Sequence, residues 1–298
     1  MIRAIWERLN KFKFFTLVTT LLVILVAEIV LTCLIPAWRK EFFNILEAKQ
    51  EHLFAGSLTF FMFLMLSLGA ATGLKVWVGQ LVSFAVREVG ARLLLKTWSK
   101  GPRVADNYTQ AMTDSLRAAT ELYLTIGVEV IISLTIVITL MASNMHNTVI
   151  IVSSIIYTII VSVVAALFNK PLINTDLKLQ SSSGKYREAL GDIANGNGDF
   201  SSKAKFKVFV IDYYNYIRTV MYFVLFSRVK GSLGVLVPYL LLSTAYFNGT
   251  LSLGDFMAGV ATFELIVVNS TILLQMYPQL TTARASWALV IKFYKEII

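Results

Sequence analysis

Three glutamates fall inside stretches that are otherwise apolar enough to cross a bilayer: Glu28, Glu129 and Glu264. A carboxylate in a low-dielectric setting favours its protonated form, so acids whose access to water alternates can carry protons across a membrane. Glu121 and Glu188 stand at the inner mouth of such stretches. Glu264 lies about ten residues into its stretch, near the bilayer midplane at ~1.5 Å per residue, with no basic residue obvious at its depth. Glu129 lies in the inner half of its stretch, and Lys75 reaches a similar depth on another. Two readings of Glu129 stay open: an ion pair with Lys75 that neutralises both, or a titrating coupling group. Glu28 lies nearer the outer surface, where it reads either as an interfacial acid or as a further coupling group.

These acids need apolar helices to hold them. A hydrocarbon core about 30 Å thick takes roughly 20 apolar residues in a helix. Residues 14–35, 58–86, 123–143, 147–168, 231–247 and 254–276 supply six such spans. Hydrophobic residues make up 56%, charged residues only 15%, and the mean hydropathy is +0.68, which excludes a soluble domain. The fold class expected is an all-α polytopic membrane protein, one transmembrane domain over residues 1–298. The first span is full length with no small-residue cleavage site after it, so it reads as a span and not a cleavable signal.

Basic residues resist crossing the membrane, so their placement orients the spans. Residues 1–13 carry four, 87–121 carry six and 169–212 carry seven, whereas 144–148 and 248–253 carry none. Both termini are therefore expected in the cytoplasm, with 87–121 and 169–212 as cytoplasmic extensions and the formal charge of +9 facing anionic lipid. A nucleic-acid surface does not fit, because no compact soluble domain carries the charge.

The connections differ in length. Those after the third and fifth spans are a few residues long and predict tight antiparallel hairpins. Residues 36–57 read as an amphipathic helix that lies along the outer surface or caps a cavity, started by Pro36, with Trp38, Phe42, Ile45 and Leu46 on one face. Arg87 to Lys100 prolongs the second span until Gly101 and Pro102 break it, and a helix follows through Asp106 to Glu121. Pro171 to Leu190 prolongs the fourth span, with a soft point at Ser181 to Gly184, and Asn195 to Asp199 has turn chemistry. Arg218, Arg228, Tyr214 and Tyr222 precede the fifth span. They read either as snorkelling cations and an aromatic belt or as the lining of a substrate cavity.

Six spans with two long cytoplasmic extensions resemble the membrane domain of an ABC exporter. Leu251 to Phe256 (LSLGDF) is similar to the phrase that opens the sixth helix there, and Leu280 to Ile297 to the exit of that helix. Within the superfamily the chain resembles the SbmA/BacA group of bacterial peptide-uptake transporters. Trp38 to Leu46 (WRKEFFNIL) is similar to its outer aromatic segment. Trp98 and Arg103 to Arg117 are similar to its first inner loop, with Arg103, Asp114 and Arg117 the matched positions, and Tyr186, Arg187 and Glu188 to its second. The chain departs at Thr113, where the group has glutamate. The resemblance implies proton-coupled, ATP-independent import of peptide-like solutes across the bacterial inner membrane. It also implies a role for Glu121 and Glu188 in coupling.

No G-x-x-x-x-G-K-[ST] loop occurs: Gly184-Lys185 lacks the upstream glycine and is followed by Tyr186. ATP is therefore not hydrolysed by this chain, and the energy comes from an ion gradient or from a separate ATPase subunit. Cys33, the lone cysteine, reads as a small core residue, and His52 and His146 sit far apart without metal-ligand partners. No cofactor, metal or enzymatic constellation is expected. The expected assembly is a homodimer enclosing a central cavity and working by alternating access. The rivals are the membrane half of an ABC transporter and a non-transporting membrane scaffold.

Overall fold

The computed structural model describes Glu7 and residues 10–98, 115–144, 147–194, 201–272, 276, 279–280, 282–284, 286–288 and 290–291. Six α-helices follow one another: α1 (Lys11–Glu47), α2 (Glu51–Trp98), α3 (Leu116–Ser143), α4 (Thr148–Ala194), α5 (Ser201–Phe247) and α6 (Leu253–Ser270). All six are long and apolar enough to cross a membrane, and no strand occurs among the described residues. This is the architecture of a multi-pass membrane protein. Arg103, Asp114, Gly101, Pro102 and the Asn195 to Asp199 run lie outside the described residues.

Hydroxyls inside the apolar helices close on their own backbone. In α1 the Thr16, Thr20 and Thr32 side chains donate to the carbonyls of Phe12, Thr16 and Glu28 at 2.8–2.9 Å, which satisfies them where water is absent. Asn10 caps this helix by accepting from the Lys13 amide at 3.3 Å.

Residues 36–57 do not form a separate surface helix. Helix α1 runs through Pro36 to Glu47, and α2 starts at Glu51 after a turn in which Lys49 takes a left-handed backbone (φ 54°). Two rings of the expected apolar stripe, Trp38 and Phe42, pack against α2, while Leu46 stays exposed. The Trp38 ring stacks on Phe61 (4.0 Å between centroids) and Phe42 (4.9 Å), and its indole N–H donates to the Ser57 carbonyl at 3.0 Å. Continuing a helix costs less than leaving a proline-started turn unsatisfied, and the missing Pro36 amide removes only one backbone bond. Trp38→Phe keeps the stack but deletes the donor. It is expected to cost about 1 kcal/mol, read as a small drop in the thermal midpoint of the detergent-solubilised protein.

The two long segments expected to extend beyond the membrane are helical where described, because α2 continues to Trp98 and α4 to Ala194. The soft point at Ser181 to Gly184 is absent: α4 passes through it unbroken. A single glycine costs only about 1 kcal/mol in a helix, too little to stop one of 47 residues.

Contacts divide the chain into two units, Met1–Val152 with Leu241–Ile298, and Ser153–Leu240. In the first, α1 packs on α2, α3 and α6, and α3 packs on α2 and α6. Leu21, Leu25, Val78, Val82, Ile132, Ile136, Leu140 and Ile266 form its core. The second unit is an antiparallel hairpin of α4 and α5. Tyr157 donates its hydroxyl to the Lys230 carbonyl (2.6 Å), Phe168 stacks on Phe226 (4.8 Å), and Tyr186 lies against Phe206 and Phe209.

Candidate functional site

Beside the core of the first unit, three charged side chains converge. Lys75 on α2 donates to Glu28 of α1 at 2.9 Å and to Glu129 of α3 at 2.8 Å. Thr72, one turn earlier on α2, adds a hydroxyl donor to the same Glu28 oxygen at 3.2 Å. The Lys75 side chain is 8% exposed, that of Glu28 11% and that of Glu129 27%. Two carboxylates thus share one ammonium, leaving one negative charge uncompensated within the cluster. The second Glu28 oxygen, Oε2, is buried with no hydrogen-bond partner among the described residues. A buried, unpartnered carboxylate oxygen is costly, and among the described residues the Glu28 carboxylate is held by its Oε1 contacts alone.

A cleft of about 230 Å³ opens against this cluster, with Lys75, Gln80, Ser83, Glu121, Thr125 and Glu129 among its lining residues. Glu121, Thr125 and Glu129 recur every fourth residue, which places them along one face of α3. Gln80 and Thr125 are exposed, while the Ser83 hydroxyl is buried without a partner. Leu21, Val76, Leu124 and Val128 also line the cleft, which exposes part of Glu129 while Glu28 stays enclosed.

The Glu129–Lys75 pair, one of the two readings of Glu129, is present, and Glu28, read as interfacial or coupling, joins it. This follows from the continuous α1: once that helix runs to Glu47 and turns straight into α2, Glu28 and Lys75 fall at matching depths on neighbouring helices. Glu264 also differs from expectation. Arg39, assigned to an outer loop, lies on α1 and reaches its carboxylate at 3.3 Å. Glu121 pairs with Arg117 one turn earlier on α3, through contacts of 3.1 and 3.3 Å.

Tyr186 and Arg187 lie within the helix α4 and not in a loop: Tyr186 is packed on aromatic rings of α5 and Arg187 is exposed. Glu188 belongs to the same helix, and its side chain lies outside the described residues. Tyr214, Arg218, Tyr222 and Arg228 are exposed along α5. Their spacing keeps them on one broad face of that helix. No group of three His, Cys, Asp or Glu side chains converges as a metal site among the described residues.

The fold and the cluster together define a class, a multi-pass helical membrane protein with an ionisable site built among its spans. Searches of protein-family models and of curated proteins find no match to the chain.

Proposed function

We propose that the protein is a proton-coupled transporter that imports peptides or peptide-like solutes across the bacterial inner membrane by alternating access, working as a homodimer. The observation that carries this reading is the Glu28–Lys75–Glu129 cluster, with one carboxylate more than its ammonium can neutralise, set beside a cleft that Lys75 and Glu129 line. The surplus carboxylate is the group that couples proton movement to rearrangement of the spans. The resemblance of WRKEFFNIL and the Tyr186–Glu188 segment to peptide-uptake transporters supports the substrate class.

A second copy is supported by the hairpin of α4 and α5. Each of these helices has 47 residues and is roughly 70 Å long, far more than hydrocarbon covers. Leu177, Leu190, Ile193, Phe206 and Val208 are exposed on the part assigned to the cytoplasm. Apolar side chains in water need a cover, and a twin chain supplies it.

The test is uptake of a labelled peptide by liposomes holding only this chain. Acid outside is expected to drive uptake without ATP, and a protonophore to abolish it. Glu129→Gln leaves a neutral Glu28–Lys75 pair, so the variant is expected to fold normally and to lose uptake at least tenfold. Uptake that requires an added ATPase, or an unaltered rate in Glu129→Gln, defeats the reading.

A further inference from the structure

At the end of the first unit where α1 turns into α2, α6 is held to α1 by polar contacts gathered on one face of α1. Lys40 pairs with Asp255 at 2.7 Å and Arg39 with Glu264 at 3.3 Å. The first amides of α6, which have no partner within their own helix, are capped from α1. The Leu253 amide donates to Glu47 at 2.9 Å and the Gly254 amide to Asn44 at 3.0 Å. Ser252 completes the junction by accepting from the Asp255 amide at 3.1 Å and donating to its carboxylate at 2.9 Å.

The elements on either side are joined by apolar packing instead. Trp38, Phe42 and Phe61 cement α1 to α2 through stacked rings. On α6, Phe256 lies against Tyr246, and Gly259 sits against Ile150 and Leu242, so this helix is bound to the adjoining ends of α4 and α5. Separating stacked rings exposes apolar surface, at about 25 cal/mol per Å². Separating the half-exposed Lys40–Asp255 pair costs far less, because water replaces each partner. Further along α6, Ile266 packs in the apolar core with Leu21 and Leu25, which marks where the parting stops.

We propose that this polar junction is a releasable clamp, closed in this structure, and that its opening parts α6 from the α1–α2 corner to admit solute from the outer side. The assignment of this end to the outside, and of solute entry to its opening, rests on the transport reading; the clamp itself does not.

Two measurements test it. In a Cys33→Ser background, Lys40→Cys with Asp255→Cys allows a short cleavable bifunctional thiol reagent to tie α1 to α6. Cross-linking is expected to lower liposome uptake at least tenfold, and cleavage to restore it; unchanged uptake in the cross-linked protein overturns the proposal. The second needs no transport. Amide exchange of residues 251–256, followed by mass spectrometry, is expected to speed up at least threefold in Lys40→Glu. It should return toward the wild-type rate in Lys40→Glu with Asp255→Lys. Exchange unaffected by Lys40→Glu overturns the clamp. A wild-type protein without pH-driven uptake defeats the proposed transport and leaves the exchange experiment to decide the clamp.

Discussion

Lys75→Met is expected to be the most damaging single substitution in the first unit. It removes the only ammonium within reach of Glu28 and Glu129 among the described residues, contacts of 2.9 and 2.8 Å. The Glu28 and Glu129 carboxylates then face each other's charge without compensation. Breaking a buried pair by deleting one partner costs roughly 3–5 kcal/mol, and here one deletion strands two acids. The expected readout is a thermal midpoint in detergent lowered by roughly 10 °C, together with loss of uptake. Charge neutralisation separates the two effects. Glu28→Gln and Glu129→Gln added to Lys75→Met leave three uncharged side chains of similar volume, so the triple variant is expected to recover most of the midpoint. Uptake should stay absent, because no titrating group remains within the cluster. A Lys75→Met protein as stable as wild type would show that the charges are hydrated and that the cluster is not the sealed site described above.

Gly254→Ala is the second large effect. A β-carbon there would sit 2.1 Å from the Lys40 carbonyl oxygen and 2.3 Å from Asn44 Oδ1. The carbonyl belongs to the continuous helix α1 and cannot rotate away, so α6 must shift and lose its caps from Asn44 and Glu47. Overpacking of this kind costs about 1–3 kcal/mol, and the lost caps add to it. Gly259 provides the internal comparison. Its nearest neighbours are the tips of Ile150 and Leu242 at 2.7 and 2.8 Å, flexible ends that can turn aside, so Gly259→Ala is expected to cost less. Gly69 and Gly73 face open space, and alanine there is expected to stabilise α2 by about 0.5–1 kcal/mol. Thermal midpoints of the four variants should therefore rank in that order, with Gly254→Ala lowest. A Gly254→Ala midpoint at or above that of Gly259→Ala would contradict the close approach of α6 to α1.

Much of the architecture was legible because hydropathy is a local property. Each of the six helices is announced by its own apolar run, and the positions of Glu28, Glu129 and Glu264 inside those runs marked them as unusual without reference to any neighbour. Helix ends were less legible. Pro36 and the polar residues after it read as a break, yet α1 passes through, because the Trp38 and Phe42 rings have a place to pack only if the helix continues.

Pairing was decided by tertiary structure. Glu28 and Lys75 are 47 residues apart and Arg39 and Glu264 are 225 apart, so which charge meets which depends on the register between helices. An error of a few residues in where one helix turns into the next moves a side chain several ångströms along the axis. That was enough to place Glu28 nearer the outer surface and leave Glu264 without a cation. The sequence by itself determined that the protein is a bundle of apolar helices with acids inside them. Only the packed structure determined that two of those acids share one lysine and that the third is tied to the α1 extension, because Coulombic attraction at 3 Å is set by three-dimensional register and not by composition.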